Sequence, residues 1–291
     1  MWSKIGIFFL KQLARVPFWS LYALSDVLFF FVYHVVRYRR DVVITNLRNS
    51  FPEKDNEELK HIRKEYFKHM CDILLEAFKM YRMPIKEWNK RYKYPNIDVL
   101  NAAYQRGNSV ALFSMHYANW EWGVGFQDFI HANAVYIYRQ LSNKAFDKYN
   151  RELRAIRGGS LVEAKQALRR MLDNKQKGIL EVYWFGADQS PADLKGVHWT
   201  NFLNQDTAFY MGGAKISQRI GCEIMFMRVK KIKRGYYEMW VEEMFKDSSE
   251  IKPEQIVEEY AHRGEAQIRA KPEYWMWSHR RWKRKRQTID M

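Results

Sequence analysis

A histidine and a carboxylate lie five positions apart in the stretch SVALFSMHYANWEWG, residues 109–123. If the Glu121 carboxylate holds the His116 imidazole, the ring can take a proton from a hydroxyl, and the carboxylate then stabilises the imidazolium. The chain has 8 histidines and 33 acidic residues among 291, so about one such spacing is expected by chance. Two interpretations therefore stay open: a catalytic dyad, or a structural histidine beside a surface glutamate.

No other motif supplies a competing chemistry. The sequence contains no Gly-rich phosphate loop, no G-x-S-x-G elbow and no H-E-x-x-H zinc pair. Cys71 and Cys222 are far apart and have no metal-ligand partner nearby, so we expect no disulfide framework and no metal site such as zinc. Because no motif places a serine or cysteine nucleophile, direct transfer between two bound substrates fits better than a covalent intermediate.

The elements around His116 follow an α/β pattern. Short apolar runs, namely SVALFSM, NAVYIY, GILEVYWF and CEIMFMRV, alternate with helical segments at 143–157, 160–175 and 207–220. This alternation predicts a central sheet of buried strands flanked by helices. His116 then falls at the C-terminal end of a strand, where open α/β sheets hold their ligand crevice. A strand-to-helix turn, capped by Asn119, would bring Glu121 back toward the ring.

Helices are predicted on both sides of this region. Asp55 or Asn56 can cap a helix over 57–80, whose apolar residues recur at helical spacing, and Pro84 ends that pattern. The segment 247–270 also reads as helix. Asp206 has two interpretations, either the start of a helix near a pocket or an ordinary helix N-cap.

The N-terminus carries an apolar stretch, residues 18–36, with basic residues on both sides at Lys4, Lys11, Arg15, Arg37, Arg39 and Arg40. Its length approaches the roughly 20 residues of a membrane helix. Asp26 near its middle opposes full insertion, since a central Asp costs roughly 2.5–3.5 kcal/mol. We interpret residues 1–40 as an uncleaved, shallow membrane anchor at the cytoplasmic face; a buried core helix is the alternative.

The net charge of +16, from 49 basic and 33 acidic residues, indicates an anionic partner. Six of the eight residues in HRRWKRKR, 279–286, are Lys or Arg, with Trp275, Trp277 and Trp282 close by. Such a cluster suits an anionic membrane surface, and a nucleic acid would favour the same run. The apolar N-terminus favours the membrane, so we expect no nucleic-acid partner; a solvated tail is the remaining alternative.

Longer motifs now carry a resemblance. The chain resembles the bacterial lipid A biosynthesis acyltransferases, the late (secondary) enzymes of the lysophospholipid acyltransferase superfamily, whose signature is a His, four residues, then an acid. The matching segments are RYRRDVVITNLRNSFPEK, HYANWE, YRQLSNKAFDKYNRELRAIRGG, GADQSP, FLNQDTAFYMGGAKISQRIG and KPEYWMWSHRRWK. They follow in family order and span nearly the whole chain.

The resemblance implies a glycerolipid acyltransferase-like α/β domain over residues 41–291, behind the membrane anchor. It implies an acyl carrier protein thioester as co-substrate, without a further cofactor. The acceptor would be a hydroxyl of a Kdo-bearing lipid A precursor, at the cytoplasmic face of the bacterial inner membrane. His116 would deprotonate that hydroxyl, and Glu121 would orient the imidazole and stabilise its protonated form.

The resemblance also implies substrate-binding residues. Arg139 matches a superfamily block in which a basic residue contacts the phosphorylated acceptor, and a guanidinium suits bidentate binding of phosphate. Asp188 and Gln189 in GADQSP would contact or position the acceptor, and Asn119 and Asn143 are further candidates. The alternatives are a solvated arginine at a strand end and a turn whose Asp bonds its own backbone.

Two points keep other functions open. The dyad acid is Glu121, where much of the wider superfamily has Asp. Relatives of this architecture acylate lysophospholipids, amino-acid lipids and glycolipids, so another polar lipid, or an acyl-CoA donor, is an alternative. A non-catalytic protein that binds membrane or nucleic acid while keeping the fold is the alternative from a different class.

Overall fold

The computed structural model describes residues 2–286, with side chains from residue 6 onward. The Lys4 side chain, and residues 287–291 of the predicted catalytic domain, lie outside the described part. The helices are α1 (Trp2–Leu13), α2 (Phe18–Phe30), α3 (Arg40–Ser50), α4 (Asn56–Lys79), α5 (Ile85–Arg91), α6 (Asp98–Gln105), α7 (Lys144–Arg154), α8 (Ala164–Gln176), α9 (Gly212–Ile220) and α10 (Pro253–Ala270). A π-helical turn, Phe31–Val35, extends α2, and 3₁₀ segments cover Glu121–Phe129 and Pro272–Tyr274.

The strands are β1 (Tyr92–Lys93), β2 (Val110–Ser114), β3 (Asn133–Tyr138), β4 (Ser160–Glu163), β5 (Glu181–Gly186), β6 (Val197–Phe202), β7 (Gln205–Tyr210), β8 (Glu223–Lys233) and β9 (Tyr236–Phe245). Seven of them form one sheet in the order β1-β9-β8-β2-β5-β3-β4, in which only the β8–β9 pair is antiparallel. Every residue of β2 is buried. The predicted α/β fold, with a central sheet flanked by helices, is confirmed.

Two predicted helices were placed too early in the chain. Residues 160–163 form β4, and the helix that follows begins at Ala164. Residues 205–210 form β7, which pairs with β6 in a separate hairpin, so Asp206 lies in a strand and caps no helix. The hairpin turn has positive φ at both Leu203 and Asn204. Of these two residues, only asparagine commonly adopts a positive φ in a hairpin turn, so the sequence did not predict the hairpin.

Helix α4 begins as predicted. The Asp55 carboxylate accepts hydrogen bonds from the backbone N–H groups of Glu57 and Glu58, and the Glu58 side chain accepts from the Asp55 N–H, which completes a capping box. The helix ends at Lys79, ahead of Pro84. This long helix is the surface on which the N-terminal helices pack.

Helix α2 lies along α4 and turns its polar side chains toward the protein. Phe18–Val35 is the one stretch of the described chain that is long and apolar enough to cross a membrane, with a mean hydropathy of 1.4. Ser25 Oγ donates to Asp72 at 2.7 Å, and Tyr22 donates to Glu76 at 2.8 Å. Asp26 pairs with Arg234 at 2.6 Å, so the charge that opposes insertion has a protein partner. The opposite faces of α1 and α2 expose large apolar side chains: Phe8, Phe9, Trp19, Leu24, Val27 and Phe30.

The C-terminal segment is held in the core by its tryptophans and Arg281, while Arg280, Lys283, Lys285 and Arg286 remain exposed. Trp275, Trp277 and Trp282 are buried, and Arg281 is 2% exposed. The Arg281 guanidinium donates to the Ala208 carbonyl at 2.7 Å and lies over the Phe209 ring. Burial of large aromatic side chains is more favourable in free energy than their exposure to water. The alternative of a solvated tail therefore does not hold for these tryptophans, which are part of the folded structure. These tryptophans are therefore not available to a membrane.

Candidate active site

The candidate site lies where two neighbouring parallel strands end. In the register of β2 and β5, Ser114 is opposite Gly186, so both strands finish at the same edge of the sheet. His116 follows β2 by two residues and Asp188 follows β5 by two residues. Gly186 lies against the imidazole, where an added Cβ would come within 3.3 Å of the His116 Cε1 atom. The chain therefore brings a histidine and a carboxylate from distant segments into contact.

His116 is held by Asp188. The imidazole Nδ1 is 2.5 Å from Asp188 Oδ1, and the His116 backbone N–H donates to Asp188 Oδ2 at 3.0 Å. Trp275 Nε1 donates to the same Oδ2 at 2.8 Å, and the carboxylate is 2% exposed. An ionised carboxylate on Nδ1 fixes the proton there, which leaves Nε2 free to act as a base. Nε2 lies 3.3 Å from the Gln189 amide nitrogen at the open side of the site.

The pair shifts both protonation equilibria. Burial lowers the pKa of His116, but the charge and hydrogen bond of Asp188, followed by the charge of Glu121, outweigh burial and raise it above 6.5. Burial raises the pKa of Asp188, but the imidazole and the Trp275 hydrogen bond outweigh that effect and lower it to about 2. The carboxylate is therefore ionised at neutral pH, and it favours the imidazolium that a general base becomes.

Glu121 makes a different contact from the one expected at the sequence level. Its carboxylate accepts two hydrogen bonds from Arg154 of α7, at 2.6 and 3.1 Å, while Asp188 occupies Nδ1 of the imidazole. Burial raises the pKa of Glu121, but the Arg154 charge and hydrogen bond, and then His116, lower it overall. Glu121 thus remains an anion in the same cleft as His116, close enough for its charge to raise the histidine pKa.

The cleft encloses about 710 Å³, including its open mouth, and holds both charged and apolar groups. Its lining includes His116, Glu121, Arg139, Arg154 and Gln189, together with Trp120, Val124, Tyr136, Ile137 and Trp184. Arg139 and Gln189 therefore line the same cavity as His116. Sequence reasoning missed Arg154, because an arginine on a basic amphipathic helix carries no signal that separates it from its solvated neighbours.

Asn119 and Asn143 have structural contacts instead of a place in this cleft. Asn119 is 2% exposed; its amide donates to Glu76 at 2.6 Å, and its carbonyl accepts the Trp122 N–H at 3.1 Å. That second bond agrees with the predicted capping of the segment after His116. Asn143 caps α7 by accepting the N–H groups of Ala145 and Phe146.

The C-terminal segment fixes the loop that carries His116. The Ala118 N–H donates to the Tyr274 carbonyl at 2.9 Å, and Tyr117 forms a β-bridge with Trp275. Ala118 has a φ of 49°, a left-handed conformation that costs free energy for a residue with a Cβ. The surrounding contacts over-determine this turn, as is common at functional sites. Within the described residues, no three His, Cys, Asp or Glu side chains are grouped as metal ligands are.

Fold and site together define an α/β enzyme with a carboxylate-held histidine in a cationic cleft, a set suited to transfer onto a hydroxyl. The family model described as bacterial lipid A biosynthesis acyltransferase matches residues 1–284, so the chain belongs to this family. It is therefore an acyltransferase of a bacterial, membrane-associated family, as the sequence motifs predicted. Comparison with individual curated proteins returns no match.

Proposed function

We propose that the protein transfers a fatty acyl chain from an acyl carrier protein thioester to a hydroxyl of a Kdo-bearing lipid A precursor, with His116 as general base. The observation that carries the proposal is the imidazole fixed at Nδ1 by buried Asp188, with Nε2 directed at a cleft that also holds two arginines. Membership of the lipid A acyltransferase family supports the choice of acceptor.

The proposed reaction is a direct acyl transfer. His116 Nε2 takes the proton of the acceptor hydroxyl while that oxygen attacks the thioester carbonyl, so a C–O bond forms and the C–S bond breaks. The imidazolium then returns its proton to the leaving thiolate. Asp188 stabilises the imidazolium directly. Glu121 stabilises it through space, and holds the Arg154 guanidinium inside the cleft.

Cationic groups in the cleft suit a phosphorylated acceptor. Arg139 is exposed at the cleft, and guanidinium groups bind phosphate through paired hydrogen bonds. Arg154 is already paired with Glu121, so Arg139 is the residue we assign to the acceptor phosphate. Gln189, next to Nε2, would orient the attacking hydroxyl. The net charge of +16 also suits an acidic carrier protein and an anionic membrane surface.

We propose that residues 1–40 form a shallow anchor on the cytoplasmic leaflet of the inner membrane and that residues 41–291 form the catalytic domain. The polar face of α2 is bonded to Asp72, Glu76 and Arg234, which supports a helix lying along the protein rather than crossing the bilayer. Its other face presents aromatic and aliphatic side chains of the kind that enter the interfacial layer.

Mass spectrometry of the reaction products tests this function. Purified protein is incubated with mixed acyl carrier protein thioesters and a tetra-acylated Kdo-lipid A precursor, and parallel reactions contain lysophospholipid or acyl-CoA. His116→Ala is compared with His131→Ala, because His131 is exposed and lies outside the cleft. We expect one added acyl chain on the precursor, lost in His116→Ala and kept in His131→Ala.

Other outcomes correct particular parts of the proposal. Acylation of lysophospholipid instead of the precursor would keep the mechanism and replace the acceptor. Transfer from acyl-CoA alone would replace the donor. Absence of transfer to every acceptor, with membrane binding intact, would refute catalysis and favour a binding protein that keeps the fold.

A further inference from the structure

Glu76 joins three separate parts of the molecule through one fully buried carboxylate. Its Oε2 accepts hydrogen bonds from Asn119 Nδ2 at 2.6 Å and from Tyr237 of β9 at 2.8 Å. Its Oε1 accepts from Tyr22 of α2 at 2.8 Å, and its backbone carbonyl accepts from Trp122 Nε1 at 3.0 Å. Glu76 has 0% exposure, so its bonds to Asn119, Tyr237 and Trp122 are made away from competing water, and the bond to Tyr22 is partly buried.

One end of this network reaches the turn that carries the catalytic candidates. Asn119 lies between His116 and Glu121 in sequence, and its side-chain carbonyl accepts a hydrogen bond from the backbone N–H of Trp122. The adjacent Trp120 ring packs edge-on against the imidazole, with 5.1 Å between the ring centroids. Displacing Asn119 would therefore move Trp120 and Glu121 relative to His116, whose own ring is held independently by Asp188.

The other end of the network reaches the apolar N-terminal helix. Tyr22 points from α2 to Glu76, whereas Trp19, one turn earlier on the same helix, is 76% exposed. Helix α2 thus has one face bonded to α4 and another open to the surroundings. A lipid surface that holds α2 against α4 would favour the Tyr22–Glu76 bond, and loss of that contact would leave one buried carboxylate oxygen without its donor.

We propose that Glu76 is a positioning residue that couples the contact of α2 with a lipid surface to the geometry of the His116–Glu121 turn. This inference rests on the proposed acyl transfer. Burial, and then the nearby Asp72 charge, raise the pKa of Glu76, so the network needs acceptor oxygens more than a full negative charge. A glutamine can keep one oxygen for Asn119 and Tyr237 and direct its amide toward the Tyr22 oxygen.

The chain offers a matched control on the same pair of helices. Ser25 of α2 donates to Asp72 of α4 at 2.7 Å, a bond of the same kind as Tyr22 to Glu76. The hydrogen bonds of Asp72 run to Ser25 and Arg234, not to the turn after His116. Tyr22→Phe and Ser25→Ala each remove one hydrogen bond between α2 and α4, but only the first change touches the Glu76 network.

The experiment measures acyl-transfer rates of the full-length protein on vesicles of phosphatidylethanolamine and phosphatidylglycerol that contain the acceptor. We expect both variants to lower the melting temperature by similar amounts, about 2 °C. Tyr22→Phe should lower kcat at least tenfold at unchanged acceptor KM, since small misplacements of reacting groups are costly, whereas Ser25→Ala should keep kcat within twofold. Glu76→Gln should keep most of the rate that Glu76→Ala loses.

A double-mutant cycle tests whether Tyr22 and Asn119 act through the same path. If Glu76 couples them, Tyr22→Phe should add little to the loss of kcat already caused by Asn119→Ala. Multiplicative losses, or equal losses of kcat in Tyr22→Phe and Ser25→Ala, would overturn the coupling. Each variant is compared with the wild type, so the comparison requires a wild type that transfers acyl chains. An inactive wild type would refute the proposed function and not the coupling.

Discussion

Replacing Asp188 by asparagine tests which carboxylate serves His116. In the serine protease triad, the equivalent Asp→Asn change lowers kcat by about 10⁴-fold, because the histidine then adopts the wrong tautomer. The Asp188 carboxylate accepts one hydrogen bond from the imidazole and another from the Trp275 indole. An asparagine amide has only one oxygen, so its NH₂ group would face one of these two donors. We expect Asp188→Asn to lower kcat by about 10³–10⁴-fold, and Glu121→Gln, which leaves Nδ1 bonded, to lower it less.

The pH dependence should change in a defined direction. A general base works in its neutral form, so activity falls as the pH drops through the His116 pKa, which Asp188 and then Glu121 raise against the effect of burial. Asp188→Asn should therefore move the acid limb of the kcat/KM profile to lower pH. Glu121→Gln should move it the same way by less, because its charge is shared with Arg154.

The same pair contributes to stability. The pKa of Asp188 falls from 3.8 to about 2 on folding, which at about 1.36 kcal/mol per pKa unit amounts to roughly 2 kcal/mol. Because the folded-state pKa is the lower one, this contribution is present above pH 3.8 and is lost as the pH falls toward 2. Asp188→Asn should flatten the unfolding free energy over this window, as measured by urea denaturation at successive pH values.

One result would refute this reasoning. If Glu121→Gln abolishes turnover and moves the acid limb further than Asp188→Asn, while Asp188→Asn keeps kcat within tenfold, then Glu121 contacts the imidazole during catalysis. Asp188 would then be a structural partner of Trp275 rather than the orienting carboxylate.

Three further changes are predicted from contacts in and around the site. Arg139→Ala should raise the acceptor KM about ten- to a hundredfold through loss of a charge-assisted bond of roughly 1.5–3 kcal/mol, with partial recovery in Arg139→Lys; an unchanged KM in initial-rate assays would remove Arg139 from the acceptor site. Trp275→Phe deletes one hydrogen bond to Asp188 and leaves a cavity beside Trp277 and Trp282, so it should lower the unfolding free energy by roughly 2–3 kcal/mol, as urea titration would report. Glu76→Ala leaves three donors unpaired and should cost ~3 kcal/mol or more in the same titration, and a loss no larger than the ~1 kcal/mol expected for Tyr22→Phe would contradict the network.

Local patterns were read correctly where neighbours in sequence decide the structure. The strand before His116 follows from a run of buried apolar residues, and the start of α4 follows from Asp55 and Glu58, whose capping bonds span three positions. The hairpin of β6 and β7 was missed because Leu203 takes a left-handed conformation that its side chain does not favour. Contacts with distant elements hold that turn: Leu203 is buried and its N–H donates to the Glu265 carboxylate, and the Asn204 amide donates to the Ser50 carbonyl.

The sequence by itself determined the family and four of the nine strands in the described chain, because these depend on short motifs and on local runs of apolar residues. Only the tertiary structure decided which carboxylate meets His116. Asp188 is 72 residues away, and it reaches the imidazole because β5 pairs beside β2, so that their ends share one edge. In the same structure, Glu121 pairs with Arg154, and the C-terminal tryptophans are buried. Spacing along a chain carries no information on which strands become neighbours, whereas sheet pairing and the burial of large side chains settle it.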